Sequence, residues 1–544
     1  MSHSALLLGT AVGLPLALLI ACSLRRVREN LLPILPYVPL PALATALLAV
    51  DGAPLVLGNE RLPLAFALDL PGAILLGVAA LLWIAGGRYA ATEMRSRPDS
   101  GRFVVCWLMT LAGCMGVYLA ADMVSFYGLL ALLSVGASCL IIQDGTPRAR
   151  RAAAVYLGLA LLAEAFMLLG FVLLAAITPD NSLWINDAAA ALVDSPWRNA
   201  ILALLVIGFG MKAGLVPAHF FMPLAYGSAL IPVAAVVSGA VIKASILGLI
   251  RFLPYGIALP DWGMALAVIG LFGALYGVVV GITQTHPKTV LAYSSVSQMG
   301  FIVAIIGMGI AGADAGARLV AAFYAANHVL VKGSLFLAVG VIAATGQRRL
   351  WPTLALVAVL ALGLGGLPLT GGALAKSVAK ETMGDGLAST VATVSSIAST
   401  LLMLHFLRRL GKSAASAPEA RAPAGMAVPW LLMAMASIVI PWALYLAAPG
   451  RTLPDALAPY ALWSALWPIP VGTLLAIGLA RRGPRLPQIP EGDVSAVALE
   501  FATRNAFAAG KRFWQLDAAL RRWPLAAMSL LFLALLFAAA IAAP

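Results

Sequence analysis

Apolar runs of about 20 residues, separated by short polar stretches, cover the chain almost end to end. They fall at roughly 5–22, 31–50, 71–90, 103–120, 122–142, 153–176, 199–216, 228–251, 261–283, 290–311, 317–343, 352–376, 386–407, 427–448, 459–480 and 523–542. A run of about 20 residues crosses the hydrocarbon layer as a helix, so the pattern predicts about sixteen crossings. Residues 494–522 alternate differently. There Phe501, Phe507, Phe513 and Leu516 recur at helical spacing against Arg504, Lys511, Arg512, Arg521 and Arg522. That is an amphipathic helix on the cytoplasmic face, bedded among lipid headgroups or braced along neighbouring spans.

Two runs are interrupted. Residues 208–225 read GFGMKAGLVPAHFFMPLA, with a Gly-Leu-Val-Pro break after Lys212 and a further proline at Pro223. Residues 363–376 read GLGGLPLTGGALAK, with Gly366, Pro368, Gly371 and Gly372 ahead of Lys376. Backbone groups freed at membrane depth are tolerated only against protein or water, so broken helices beside charges point to an ion path. Two matching breaks, five spans apart, are what an inverted repeat of five spans produces.

Ionisable residues in or beside predicted spans include Glu164, Lys212, Lys243, His328, Lys332, Lys376 and Lys380, with His405 at a span end. A lysine at membrane depth costs about 2.5–3.5 kcal/mol, so each needs a partner or a purpose. His328 and Lys332 stand four apart and share a helix face. Lysines and histidines in a row can relay protons. A single lysine near a span end can instead snorkel to the interface, and Lys380, beside Glu381 and Gly384, reads that way. His219, in PAHFF, is either a cytoplasmic proton-intake residue or an ordinary loop histidine, and His286, in THPK, reads as loop.

Composition closes off other classes. The 544 residues are 62% hydrophobic and 10% charged, against about 25% charged for a soluble domain. Net charge is +13, from 35 basic and 22 acidic residues, but the excess sits in loops and sets topology rather than binding nucleic acid. Basic clusters such as Arg25/Arg26/Arg28, Arg95/Arg97, Arg148/Arg150/Arg151 and Arg408/Arg409/Lys412 all follow odd-numbered spans, whereas the loop after the sixth carries Asp180, Asp187 and Asp194. Positive-inside counting therefore places both termini outside. The N-terminus lacks a charged stretch before its first run and reads as a retained span. The four cysteines, Cys22, Cys106, Cys114 and Cys139, lack ligand spacing, so neither a metal site nor a cofactor is expected.

At GFGMKAGLVPAHFFMPLA, PVAAVVSGAVIKASILGLIRF, THPKTVLAYSSVSQMGFI, NHVLVKGSLFLAVG and GLPLTGGALAK, the chain resembles the antiporter-like subunits of respiratory complex I, Mrp-type sodium/proton antiporters and group 4 hydrogenases. LAYSSVSQMG is the most specific of these stretches, and the resemblance covers residues 103–410. It implies an all-α polytopic fold of about fourteen core spans with two inverted five-helix repeats, plus a lateral amphipathic helix and a final span. The implied segments are 1–102 for three N-terminal spans, 103–251 and 261–410 for the repeats, 427–480 for two more spans, 494–522 for the lateral helix and 523–542 for the last span. Carried over, Lys212 is the lysine of the first broken helix, Lys243 the connecting lysine, His328 and Lys332 the central relay, and Lys376 the lysine of the second broken helix.

The family carries a glutamate in the fifth span, in a phrase like F-x-x-F-E-L-M, as partner to the first broken-helix lysine. Here the phrase is SFYGLLALLSV, and Ala131 falls at that place. Glu164, one span later, is the replacement to expect; otherwise this half-channel is altered or lost. Tyr324 stands where some relatives have a second central histidine.

The resemblance implies a proton-translocating subunit, with other subunits as partners, in a bacterial inner membrane. The complex is then complex I-like, a Mrp-type antiporter exchanging sodium for protons, or an assembly with a large zinc protein resembling carbonic anhydrase that accumulates inorganic carbon. A purely structural role is the remaining alternative.

Overall fold

The computed structural model describes residues 2–59, 62–481 and 489–493, and those up to Glu491 form one compact unit. The amphipathic stretch 494–522 and the run 523–542 lie outside the described residues.

Among the described residues, fourteen helices are long and apolar enough to cross a membrane. In chain order the elements are α1 (His3–Ala21), α2 (Leu40–Leu48), a hairpin of β1 (Leu55–Asn59) and β2 (Leu62–Phe66), α3 (Leu70–Glu93), α4 (Ser100–Leu119), α5 (Met123–Ile141) and α6 (Pro147–Ile177). Then come α7 (Arg198–Ala213) and α8 (Phe221–Ser228), two halves of one span, and α9 (Ile231–Phe252). They are followed by α10 (Pro260–Gly281), α11 (Pro287–Ala311) and α12 (Ala317–Ala343). Next are α13 (Leu350–Gly365) and α14 (Gly371–Met383), again one interrupted run, and then α15 (Leu387–Gly411), α16 (Ala424–Ala447) and α17 (Pro459–Arg481).

The run at 31–50 is where pattern and structure part. Only α2 is regular. Before it, Ile34, Tyr37 and Leu40 each donate to the carbonyl three residues back, at 2.9, 2.9 and 3.1 Å. Pro33, Pro36 and Pro39 each directly precede one of those donors and lack an N–H, so no α-ladder can form there. A proline every third residue suits the tighter three-residue turn, which rises about 2 Å per residue. The hairpin had no counterpart in a pattern read for spans. Asp122 holds it, accepting from Ala65 N at 2.6 Å while capping α5 through Ser125 N at 2.8 Å.

Helix starts follow local chemistry. Thr146 caps α6 through Ala149 N at 3.1 Å, and Pro147 opens the first turn. His286 caps α11 by accepting from Lys288 N at 3.3 Å, ahead of Pro287. So His286, read from the sequence as loop, is a helix cap.

Close packing rests on small residues. Gly263, Gly270 and Gly277 recur every seventh position of α10, and Gly300 and Gly307 do so on α11. A Cβ on the α10 glycines would lie 2.4, 2.4 and 2.6 Å from α11 backbone atoms. Backbones this close gain dispersion contact without any hydrophobic driving force, as lipid-immersed helices require. Arg251, at the end of α9, donates to Asp69 Oδ1 at 2.5 Å, Tyr118 O at 2.9 Å and Ala120 O at 2.8 Å. Burial disfavours ionised Asp69, but the Arg251 guanidinium outweighs it and holds the carboxyl below its ordinary pKa.

Candidate proton path

Both interrupted spans break by the same local mechanism. Gly214 ends α7 at φ 72° and Gly366 ends α13 at φ 103°, a left-handed conformation that an added Cβ would strain. Leu215 N then reaches back to Gly210 O at 2.9 Å, and Leu367 N to Leu362 O at 3.1 Å. This six-to-one bond is the Schellman closure, and a proline follows in each case at Pro217 and Pro368. The lysines sit differently. Lys212 lies two residues before its glycine, within α7, whereas Lys376 lies after the break, in α14. The order along the chain is thus reversed between the two breaks, lysine before glycine in the first and after it in the second.

Lys212 Nζ lies 2.7 Å from Glu164 Oε1 and 2.6 Å from Ser134 Oγ. Ser134 also bonds Glu164 at 2.5 Å, closing a three-membered polar cluster across α5, α6 and α7. Glu164 is 3% exposed. Ala131 leaves its helix without the expected acid, and Ser134, one turn on, turns a hydroxyl to the same lysine. Sequence reasoning missed Ser134, for a serine in an apolar helix carries no marking of its own. Beside Lys212 a cavity of about 30 Å3, room for about two waters, is lined by Ser134, Tyr156, Tyr226, Ile242 and Ser245.

Lys243 begins the regular part of α9 directly after a π-turn at Val237–Val241. Such a turn inserts an extra residue per hydrogen bond and re-aims the side chains that follow it. Lys243 Nζ meets His328 Nδ1 at 2.8 Å. His328 Nε2 is buried without a hydrogen-bond partner among the described residues. One turn along α12, Lys332 Nζ donates to Leu291 O of α11 at 2.8 Å. Lys243, His328 and Lys332 are all 0% exposed. Among the described residues no carboxylate pairs with any of them. Two unit charges 4 Å apart repel by about 4 kcal/mol at an effective dielectric of 20, so a charge arriving on one displaces that on the next.

A second polar thread leaves this centre. Tyr324, one turn before His328 on α12, donates to Gln298 Oε1 at 2.8 Å, and Gln298 Nε2 donates to Ser399 Oγ at 3.3 Å. Ser396, one turn before Ser399 on α15, accepts from Lys376 Nζ at 2.9 Å. Lys376 also donates to Gly365 O at 2.9 Å, a carbonyl at the end of α13. Gln298, Ser396 and Ser399 were not legible as path residues, because amides and hydroxyls occur throughout such helices. Lys376 then faces a cavity of about 860 Å3 shared with Lys380, Asp385, Arg451 and Asp455. Lys380, expected to snorkel, lines this cavity. Its neighbour Glu381 pairs with Arg451, at 2.5 and 2.6 Å.

His219 is 1% exposed, with its ring edge-on to that of Tyr276 at 5.0 Å. His405 Nε2 donates to Gln284 O at 2.7 Å.

Residues 120–404 match the family described as NADH:quinone oxidoreductase/Mrp antiporter, TM. The chain belongs to this family. Among curated members, an NADH-quinone oxidoreductase subunit N from Desulforudis audaxviator is 35% identical over 281 residues, covering 50% of this chain and 54% of that protein. A Na(+)/H(+) antiporter subunit from Alkalihalophilus pseudofirmus is 26% identical, over 53% of this chain and 58% of that one. The chain spans about half the length of the curated relatives it matches. The Mrp complex from Dietzia sp. DQ12-45-1b shares the fold, with a TM-score of 0.78 and 21% identity over 100% of this chain and 63% of that one. All of the path groups from Lys212 to Lys376 fall within the family match, as does Glu164.

Proposed function

We propose that this chain is a proton-translocating, antiporter-like subunit of a multi-subunit energy-coupling membrane complex. The observation that carries the proposal is the line of buried and half-buried exchangeable groups between two broken spans: Glu164/Lys212, then Lys243/His328/Lys332, then Lys376. Lys212 and Lys376 stand at the two breaks. In this reading Glu164 and Ser134 hold a proton on Lys212, and separating the pair sends it toward Lys243. The single hydrogen bond between Lys243 and His328 passes a proton from Nζ to Nδ1, while Nε2 releases one toward Lys332. The Tyr324–Gln298–Ser399 thread extends the line toward Ser396 and Lys376, and the wide polar cavity beyond Lys376 is the exit. Each transfer displaces a like charge onward, so the line works as a queue rather than a store. Residues 103–251 and 261–410 are the two repeats, one break in each. The membrane is a bacterial inner membrane, with both termini outside and the basic loops in the cytoplasm.

The test is proton uptake by inverted vesicles containing the intact complex. Lys212→Ala and Lys376→Ala are each expected to abolish coupled transport while the chain still inserts and assembles; if both pump normally, the relay is wrong. The curated relatives support either a redox complex or a cation/proton antiporter, so the partners decide between them. Copurifying quinone-site and cluster subunits mark the first, a set of small antiporter subunits the second. A single large zinc protein marks a third reading, carbon dioxide or bicarbonate accumulation, which the loss of the fifth-span acid at Ala131 favours.

A further inference from the structure

Away from the path, a groove of about 660 Å3 opens between the proline-rich segment before α2, α3 and α16. Its walls are apolar: Tyr37, Leu40, Ile84, Val428, Leu432 and Met433 are among them, and Arg88 is the single charged residue that lines it. Val428 and Leu432 are 53% and 65% exposed, so the groove faces whatever surrounds the protein laterally. Arg88 falls near the end of the apolar run at 71–90. The structure places it inside α3, exposed, and without an ion pair or side-chain hydrogen bond among the described residues. A guanidinium on a membrane-spanning helix without a protein partner calls for an anion from outside the protein.

The same end of the groove offers more for an anion. Gly425, in the first turn of α16, packs so tightly on Thr92 that a Cβ there would lie 2.1 Å from its hydroxyl. That contact sets the start of α16 beside the end of α3. Ala424 and Gly425 both line the groove, and the first-turn amides of a helix carry partial positive charge. Arg421 precedes this turn, and Arg95 and Arg97 follow α3. The other end carries no charge.

A long apolar trough with positive charge at one end has the shape of one kind of molecule in a bilayer. We propose that the groove binds an anionic phospholipid, its acyl chains along Leu40, Leu432 and Met433 and its phosphate on Arg88 at the start of α16. Neutral lipid fills the trough but gains nothing at Arg88, so headgroup charge sets selectivity. A partner helix of ordinary apolar composition would leave Arg88 unpaired.

Native mass spectrometry of the purified full-length chain, titrated with phosphatidylglycerol or phosphatidylcholine, tests this. One phosphatidylglycerol is expected to be retained in preference to phosphatidylcholine, and excess inorganic phosphate is not expected to displace it. Arg88→Gln is expected to weaken phosphatidylglycerol retention about tenfold or more and leave phosphatidylcholine adducts unchanged, while Arg88→Lys keeps most of the preference. Val428→Trp, which fills the trough, is expected to weaken both, with an unchanged melting temperature certifying the fold. Equal retention of the two lipids overturns the proposal, as does wild-type binding by Arg88→Gln or displacement by phosphate alone. So does a photo-crosslinker at position 428 that captures a protein segment rather than lipid in native membranes.

Discussion

The two broken spans share a backbone device and differ in how they hold a charge. At the first, Lys212 is neutralised in place: Glu164 is 2.7 Å away, Ser134 bridges the two, and the neighbouring space holds about two waters. At the second, Lys376 has no carboxylate within ion-pairing distance among the described residues; it rests on Gly365 O and Ser396 Oγ and opens on a cavity of about 860 Å3. A buried charge is tolerated if it is paired or if water reaches it, and this protein uses one solution at each break. The difference teaches that matching sequence punctuation does not imply matching electrostatics. The glycine–leucine–proline signal shapes the backbone, while the surroundings of the amine come from whichever helices pack against it.

If that contrast is right, the two lysines answer differently to removal. Lys212→Ala strands Glu164 as an unpaired carboxylate and is expected to cost about 3–5 kcal/mol of stability. Lys376→Ala removes an amine that water and a hydroxyl already served, and is expected to cost far less. Thermal melts of the two variants in one detergent measure this, and equal melting temperatures would erase the contrast. Replacing both members, Lys212→Met with Glu164→Leu, is expected to restore most of the lost stability without restoring transport. A double variant as unstable as Lys212→Ala alone would show that the cost is not the stranded acid. A smaller effect is expected from the hydroxyls. Ser134→Ala removes a bridge within a cluster whose ion pair remains, so transport falls about fivefold, whereas Ser396→Ala takes away the one side-chain partner of Lys376 among the described residues and lowers it more. Initial rates of vesicle acidification compare them, and the reverse order would mean that Ser134 is the indispensable one.

The smallest effect concerns pH. Burial first, and then Lys288, lowers the pKa of His286 below its ordinary value, with Arg148 adding to this and Glu491 opposing it. The neutral ring is the one that can accept from Lys288 N and cap α11, the helix that supplies Leu291 O and Gln298. The unfolded state therefore binds the proton more readily, and this contribution to stability is present above about pH 6.5 and declines as pH falls below it. Melting temperatures between pH 7.5 and pH 5.5 are expected to fall slightly more in the parent than in His286→Asn, which also caps but does not titrate. Parallel curves would show that His286 plays no part.

Much of this protein was legible before any coordinate. Of the fifteen apolar runs within the described residues, fourteen correspond to the fourteen long apolar helices found there, both breaks lie at the glycine–proline signals, and Lys212, Lys243, His328, Lys332 and Lys376 stand out as basic groups in apolar runs. These features can be read along the chain because the hydrocarbon layer taxes each residue separately, so composition and period suffice. Tertiary structure alone decided which groups meet. Ser134 and Lys212 are 78 residues apart, Lys243 and His328 are 85 apart, and Gln298 and Ser399 are 101 apart. The proline-rich run before α2, the burial of His219 and the unpaired Arg88 belong to the same category. Whether a hydroxyl, amide or imidazole turns toward a charge depends on the rotation and crossing of separate helices. Those are set by close contacts such as the sevenfold glycines of α10 and α11, and no residue records them on its own.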